Sequence, residues 1–381
     1  MKIAVLGTGI TGSAVLNKVK QLGGFEIVEP DQADLVIASP GIPPAEYPRG
    51  RAEVISEIEF AFRLMQSGKY CKAPKIIAIS GTNGKTTTTT LISLVLNCPA
   101  AGNIGEPLIN FVDKENEYIS CEVSSYQLES SPTFQPYIAI LLNLTEDHLT
   151  RHKTMQRYCD AKAMMVLNQD YRDYFVFNAR DCWLTSIAGK AKSRLIPFMS
   201  QTILGQNYEA TLKVAEICRV PREKVDEIFA DFKGVEHRLE KVSVHNGVTC
   251  INDSKGTNPD STIVALESIN DPVILIAGGR DKLTSLDQLT ASIEQKVKKV
   301  ILLGEAAERF EKAFLAGGVP AANMLHAGSM REAVDIAFQQ ASSGDTILLS
   351  PACASFDMYK NFEERGRDFK ELVYAKTIPQ T

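Results

Sequence analysis

The stretch IAISGTNGKTTTTT, residues 77–90, decides how the chain is read. An apolar run of strand character ends at Ser80, passes two glycines, Gly81 and Gly84, and continues from Lys85 as a Thr-rich helical segment. A strand that feeds a helix through such a turn offers backbone N–H groups and the positive end of a helix dipole to an anion. Lys85 adds positive charge, and a hydroxyl such as that of Thr86 is a hard oxygen donor suited to Mg²⁺. The pattern predicts a phosphate-binding loop made of Gly81, Thr82, Asn83, Gly84, Lys85, Thr86 and Thr87. It is a variant loop, because the strict pattern wants a glycine five residues before Gly84 and Ile79 stands there.

Around that loop the chain alternates short apolar strands with helical stretches, the pattern of parallel α/β structure. Strands are expected at 3–7, 25–28, 34–38, 75–80, 118–123, 137–143, 241–245, 248–252, 272–277, 298–303 and 345–349. Helices are expected at 51–66, 154–168, 207–218 and 221–231, and the turn His245-Asn246-Gly247 has hairpin chemistry. A length of 381 residues suits two to three domains. Gly68 before Pro74, and then Gly234, mark the expected boundaries, giving domains 1–68, 69–235 and 236–381. With 41 Lys and Arg against 46 Asp and Glu, the net charge of −5 offers no footprint for nucleic acid. No run is apolar and long enough to span a bilayer, and no leader precedes the first strand, so a cytoplasmic protein with no membrane partner is expected. Eight scattered cysteines are read as reduced, and Cys353 as packing rather than a nucleophile.

Other patterns carry chemistry in outline. Gly7, Gly9 and Gly12 form G-x-G-x-x-G after the first strand, with Glu29 ending the next. NAD(P) binding, binding of another nucleotide or phosphate at that helix start, and a plain tight turn all fit. Glu122 ends a strand, where a carboxylate can serve a phosphate-bound Mg²⁺ or simply face solvent. In LNLTEDHLTRH, His148 and His152 are spaced like a zinc pair, but Leu149 replaces the glutamate of H-E-x-x-H, which argues against a zinc protease. INDSKGTNPDS (251–261), AGGRDK (277–282) and SPACASFDMYKNFEERG (350–366) each follow a strand, at the edge where open α/β sheets bind ligands. Lys255, Arg280 and Lys282 there suit carboxylates or phosphates.

Taken together, GTNGKTT, GNIGEP, EVSSYQLE, LNLTEDH, YCDAK, EHRLE, NDSKGTN, GGRDK and SPACASFD occur in the order found in the Mur ligase family, which the chain resembles from residue 81 to 366. The resemblance implies three α/β domains: a short Rossmann-like one for a UDP moiety, a central P-loop ATPase and a Rossmann-like C-terminal one for an amino acid. It implies an ATP-dependent ligase that adds D-glutamate to UDP-N-acetylmuramoyl-L-alanine through an acyl phosphate, in peptidoglycan precursor synthesis, acting as a monomer. By matching motifs, the loop from Gly81 to Thr87 with Asn207, Arg238 and Asp253 would hold ATP. Gly9, Ile10, Thr11, Asn103 and His148 would hold the UDP substrate, and Thr257, Lys282, Ser355 and Phe362 would hold D-glutamate. Thr86 and Glu122 would bind one Mg²⁺, with a second on His148 and on Lys162 as a carbamate. From pattern alone Lys162 reads as a solvated lysine. Two departures stand out: Glu29-Pro30 replace the Thr-Arg pair that the family often offers to the diphosphate, and Ala210 replaces an adenine-side Asn. A different ligase of this fold, an NAD-linked oxidoreductase built on the first glycines, and a non-catalytic nucleotide-binding module are the rival readings.

Overall fold

The computed structural model describes every residue except Thr8, Arg49, His148, Lys233 and residues 378–381, with only the backbone of Leu149, Thr150 and Thr377. Three sheets organise the described chain. In the first, β1 (Lys2–Leu6), β2 (Glu26–Ile27), β3 (Leu35–Ala38) and β4 (Glu53–Ser56) run parallel in the order β2-β1-β3-β4. The expected helix 51–66 is corrected here: Glu53-Val54-Ile55-Ser56 is a strand, and the helix is Glu57–Gln66. No turn residue separates the two, because Ser56 ends the strand and caps the helix, its hydroxyl accepting from Glu59 N–H at 3.1 Å.

In the second sheet, β5 (Lys75–Ser80), β6 (Ala100–Gly102), β7 (Tyr118–Glu122), β8 (Ile138–Leu141), β9 (Tyr174–Asn178) and β10 (Arg194–Phe198) are all parallel, in the order β10-β9-β8-β5-β7-β6. On β5, Ile76 and Ala78 join one hydrophobic cluster while Ile77 and Ile79 join another, so the strand is buried on both faces. The third sheet contains β11 (Glu240–His245), β12 (Val248–Asn252), β13 (Val273–Gly278), β14 (Val297–Leu303), β15 (Met324–Ala327) and β16 (Thr346–Leu349), ordered β11-β12-β16-β13-β14-β15. Only the hairpin β11/β12 is antiparallel. Its turn places Asn246 at φ 50° and Gly247 at φ 78°, the primed geometry that an Asn-Gly pair adopts cheaply.

The chain divides into two compact units, residues 1–232 and 233–381. Within the first unit, the first two sheets share one core that runs from Ile3 through Phe60 and Phe134 to Ala188. Polar ties reinforce it. Ser56 N–H donates to the Ser130 carbonyl (2.8 Å), Lys18 pairs with Asp113 (2.8 Å), and the buried Glu57 accepts from Ile109 N–H (2.6 Å). Every cysteine is a free thiol, and Cys353 is buried in the core of the second unit, where burial pushes its thiol up to about 12. Among the described residues no helix is long and apolar enough to cross a membrane.

Candidate active site

In the first unit the phosphate loop leaves β5 between its neighbours β7 and β8, so residues from three strand ends converge on it. Gly84 adopts φ 85° at the cap of the helix Lys85–Leu96, and a Cβ there would lie 2.5 Å from Asn207 Oδ1. Asn207 therefore packs against the loop, its Oδ1 also accepting from Thr88 Oγ1 at 3.1 Å. Asn143 laces the other side: its Oδ1 accepts from Asn83 N–H (2.8 Å), and its Nδ2 donates to the Asn83 carbonyl (3.1 Å) and to Gln206 (2.6 Å). Thr82 Oγ1 bonds to the Thr145 carbonyl (3.1 Å) and meets the Tyr158 hydroxyl at 3.3 Å. The loop is thus fixed in place by hydrogen bonds to its neighbours on both sides.

Lys85 folds back on that loop, its Nζ donating to the carbonyls of Gly81 (2.9 Å) and Thr82 (2.7 Å). Thr86 Oγ1 donates to Glu122 Oε2 at 2.7 Å, and Asn103 Nδ2 donates to Glu122 Oε1 at 2.9 Å. Glu122 is buried, which excludes the surface-acid reading. Thr87 is buried in the first turn of the same helix.

Lys162 is 1% exposed, and the solvated-lysine reading is wrong. Its helix, Met155–Leu167, turns that face inward because Tyr158 and Ala163 pack into the core, and Nζ reaches Ser80 Oγ and the Gly81 carbonyl, each at 3.1 Å. Burial, and then repulsion from Lys85, hold its amine well below the usual lysine range, against the opposing pull of Asp147 and Glu122. His152 is committed to structure: its Nε2 meets Ser125 Oγ at 2.9 Å and its Nδ1 lies 3.1 Å from Glu129. His148 lies outside the described residues.

In the first sheet, Gly7 takes φ 89°, Gly9 caps the helix Ile10–Leu22, and a Cβ on Gly12 would fall 1.9 Å from the Gly7 carbonyl oxygen. Gly7 and Gly12 are required for the tight crossing itself, whatever binds there, whereas a Cβ on Gly9 would meet no neighbour. Ile10 is 79% exposed beside the half-buried Thr11, and Glu29 stands exposed after the two-residue β2. Ala210 lies in the core with Ile79 and Val214.

In the second unit, the loops after the adjacent strands β12, β16 and β13 carry Asp253 to Thr257, Ser350 to Phe362, and Gly279 to Lys282. They are stitched together by Arg280 N–H donating to the Ala354 carbonyl at 2.8 Å, by Asp253 N–H to the Leu349 carbonyl at 2.7 Å, and by Ser350 Oγ to Asp253 Oδ2 at 2.7 Å. Thr257 and Lys282 are partly exposed, Ser355 is buried, and Phe362 stacks edge-on to His237 and under Lys255 Nζ. Burial pushes the Asp253 carboxyl up to about 6, against the hydrogen bond from Ser350 and the charge of Arg238. Arg238 Nε is buried with no hydrogen-bond partner, an orphan donor that a ligand can satisfy. The sequence alone does not single out the side chains of Asn143, Gln206, Ser80, Ser254 and Arg365, although each lies within a stretch that does stand out, Gln206 beside Asn207 in GQNYEAT.

A loop of this design on a parallel sheet, followed by a second α/β unit with its own ligand edge, defines a nucleotide-dependent enzyme of the Mur ligase type. The Mur ligase middle domain matches residues 79–240, the Mur ligase glutamate ligase domain matches residues 237–353, and the chain belongs to the Mur ligase family. It is 38% identical to the UDP-N-acetylmuramoylalanine–D-glutamate ligase of Thermoanaerobacter pseudethanolicus, over 93% of this chain and 87% of that protein. To the ligase of the same name from Clostridioides difficile it is 37% identical, over 94% and 88%. Its fold resembles the crystal structure of UDP-N-acetylmuramate-alanine ligase MurC from Thermotoga maritima, with a TM-score of 0.64 at 17% identity over 99% of this chain and all of that one. It also resembles the Mycobacterium tuberculosis folylpolyglutamate synthase complexed with ADP, with a TM-score of 0.64 at 13% identity over 83% and 94%.

Proposed function

We infer that the protein is an ATP-dependent ligase that adds D-glutamate to UDP-N-acetylmuramoyl-L-alanine, a step of peptidoglycan precursor synthesis. The observation that carries this reading is the likeness, over nine-tenths of the chain, to ligases bearing that name. The built phosphate loop agrees with it, and an NAD-linked oxidoreductase would leave that loop without a task.

The chemistry assigns work to this chain's own residues. The loop from Gly81 to Thr87 and the start of the following helix would receive the ATP phosphates, with Lys85 exchanging its two carbonyl partners for phosphate oxygens. Asn207, Arg238 and Asp253 would hold the rest of the nucleotide. Gly9, Ile10, Thr11, Asn103 and His148 would orient the UDP substrate so that its carboxylate attacks the γ-phosphorus in line and ADP departs. The amine of D-glutamate, held by Thr257, Lys282, Ser355 and Phe362, would then attack the acyl phosphate, and inorganic phosphate would leave as the amide forms. Positioning and charge neutralisation supply most of the rate.

The residues present fit Mg²⁺. The Thr86 hydroxyl and the Glu122 carboxylate are buried hard oxygen donors 2.7 Å apart, and they would hold one ion, whose charge would offset that of the phosphates. For a second ion, His148 and a carbamate on Lys162 are proposed as ligands. A buried amine with a depressed pKa is neutral often enough to add CO₂, and the resulting anion would be paired by the adjacent Lys85. Phosphate release measured over a panel of UDP-muramoyl compounds and amino acids tests the reading. Release should require ATP, UDP-N-acetylmuramoyl-L-alanine and D-glutamate together, and release driven as well by another amino acid would overturn the assigned specificity.

A further inference from the structure

Arg365 is 2% exposed, yet it belongs to none of the groups assigned above to a substrate. It lies one turn into the helix Phe362–Thr377, and its guanidinium gives four hydrogen bonds. Nε donates to Ser254 Oγ (3.0 Å), Nη2 to the carbonyls of Ser254 (2.8 Å) and Cys353 (3.1 Å), and Nη1 to the carbonyl of Ala354 (3.3 Å). None of these partners is anionic. The Ser254 hydroxyl passes the link on to the Phe362 carbonyl at 2.8 Å, and the Ala354 carbonyl is shared with Arg280 N–H. On the fourth side, a Cβ on Gly279 would lie 3.1 Å from Nη1, so the glycine turn after β13 is pressed against the guanidinium.

One side chain therefore touches each segment that carries a proposed D-glutamate contact. Ser254 precedes Thr257 by three residues, Gly279 precedes Lys282 by three, Ala354 is next to Ser355, and Phe362 is one turn before Arg365 on the same helix. Three loops from different strands converge on one point, and a planar cation with five donors is the group able to bind several carbonyls at once. Its charge stays: burial draws the guanidinium down to about 10, still protonated at neutral pH. Its hydrogen-bond partners are all neutral oxygens, and the Asp357 and Asp253 carboxylates act on it only through space.

We propose that Arg365 is a positioning residue for the amino-acid site, gathering the Thr257, Lys282, Ser355 and Phe362 segments into one receptor. The proposal rests on the D-glutamate ligase reading. It predicts a defect confined to the second half of the reaction. In the full-length enzyme, Arg365→Gln should raise the KM for D-glutamate at least tenfold, with Arg365→Lys recovering part of the loss because it keeps the charge. The KM values for ATP and UDP-N-acetylmuramoyl-L-alanine should stay within twofold, as should acyl phosphate formed without D-glutamate and trapped with hydroxylamine. Ser254→Ala removes one tie at lower structural cost, and should give a selective rise of a few-fold in the same KM. That variant decides the matter if the Arg365 variants fail to fold. An unchanged D-glutamate KM, or equal losses for all three substrates, overturns the proposal in an active enzyme. A wild-type enzyme that releases no phosphate with D-glutamate overturns the ligase reading instead.

Discussion

Replacing Asp253 by Asn should move stability and nucleotide affinity in opposite directions. In the folded protein the buried carboxyl is pushed from 3.8 up to about 6, mainly by desolvation. Between those two pH values the native state holds a proton that the unfolded chain has released, so stability falls as pH rises through the window and the loss is complete above about 6. At about 1.4 kcal/mol per tenfold the loss amounts to ~3 kcal/mol. Asn carries no charge to desolvate, and its carbonyl can still accept from Leu239 N–H, the 3.2 Å partner of Oδ1. The Ser350 hydroxyl, which also meets Thr262 Oγ1 at 3.0 Å, can rotate to accept from the new amide. Asp253→Asn should therefore be more stable than wild type by up to ~3 kcal/mol at pH 8, with the gap shrinking toward pH 5. The donors that ATP offers an acceptor-only carboxylate are its sugar hydroxyls and adenine amino group, and losing a charge-assisted bond of about 1.5–3 kcal/mol weakens binding roughly 10- to 150-fold. Urea unfolding at the two pH values and calorimetric titration with ATP measure both sides. A variant that is less stable at pH 8 would show that Asp253 carries no desolvation cost, and one that binds ATP as wild type does would show that it does not meet the nucleotide.

Gly12→Ala should cost at least ~2 kcal/mol, because its methyl would overlap the Gly7 carbonyl and the backbone must move; a thermal midpoint lowered by several degrees, together with a raised KM for the UDP substrate, is the expected result. Lys85→Ala should cut turnover about a thousandfold or more while changing ATP affinity by less than tenfold, since its charge matters most as the phosphoryl group transfers; rapid-quench detection of acyl phosphate decides it. Lys162→Ala should fold but be nearly inactive, and a small carboxylate such as formate should restore some activity to it and none to wild type. Lys162→Glu should outperform Lys162→Gln, because the proposed role needs a negative oxygen ligand.

What is legible in the sequence is local. The loop from Gly81 to Thr87 is written in consecutive residues, and the hairpin at Asn246-Gly247 in two. The strand β4 is hidden because Ser56 serves both as strand end and as helix cap, leaving no punctuation between Glu53 and Gln66. Lys162 reads as solvated because Arg157, Asp160 and Lys162 alternate with apolar residues as on any surface helix. Only the fold reveals that Ser80 and Gly81, about eighty residues away, receive its amine. The same limit hides Asn143 and Gln206, whose partners lie about sixty residues apart, and Arg365, whose acceptors come from loops on different strands. Ala210 looks like a lost polar contact, and in the fold it is core packing against the second sheet.

If ATP activates the carboxylate of the UDP-muramoyl substrate for attack by D-glutamate, that carboxylate must give up one oxygen to phosphate. An ¹⁸O label in that carboxylate tests it directly, with the products separated by mass. The expected product is heavier than the unlabelled UDP substrate by one glutamate residue with one ¹⁸O retained in the new amide, and each inorganic phosphate released carries one ¹⁸O atom, because the acyl phosphate leaves with a carboxylate oxygen. Unlabelled phosphate, or label retained in full by the peptide product, would contradict it.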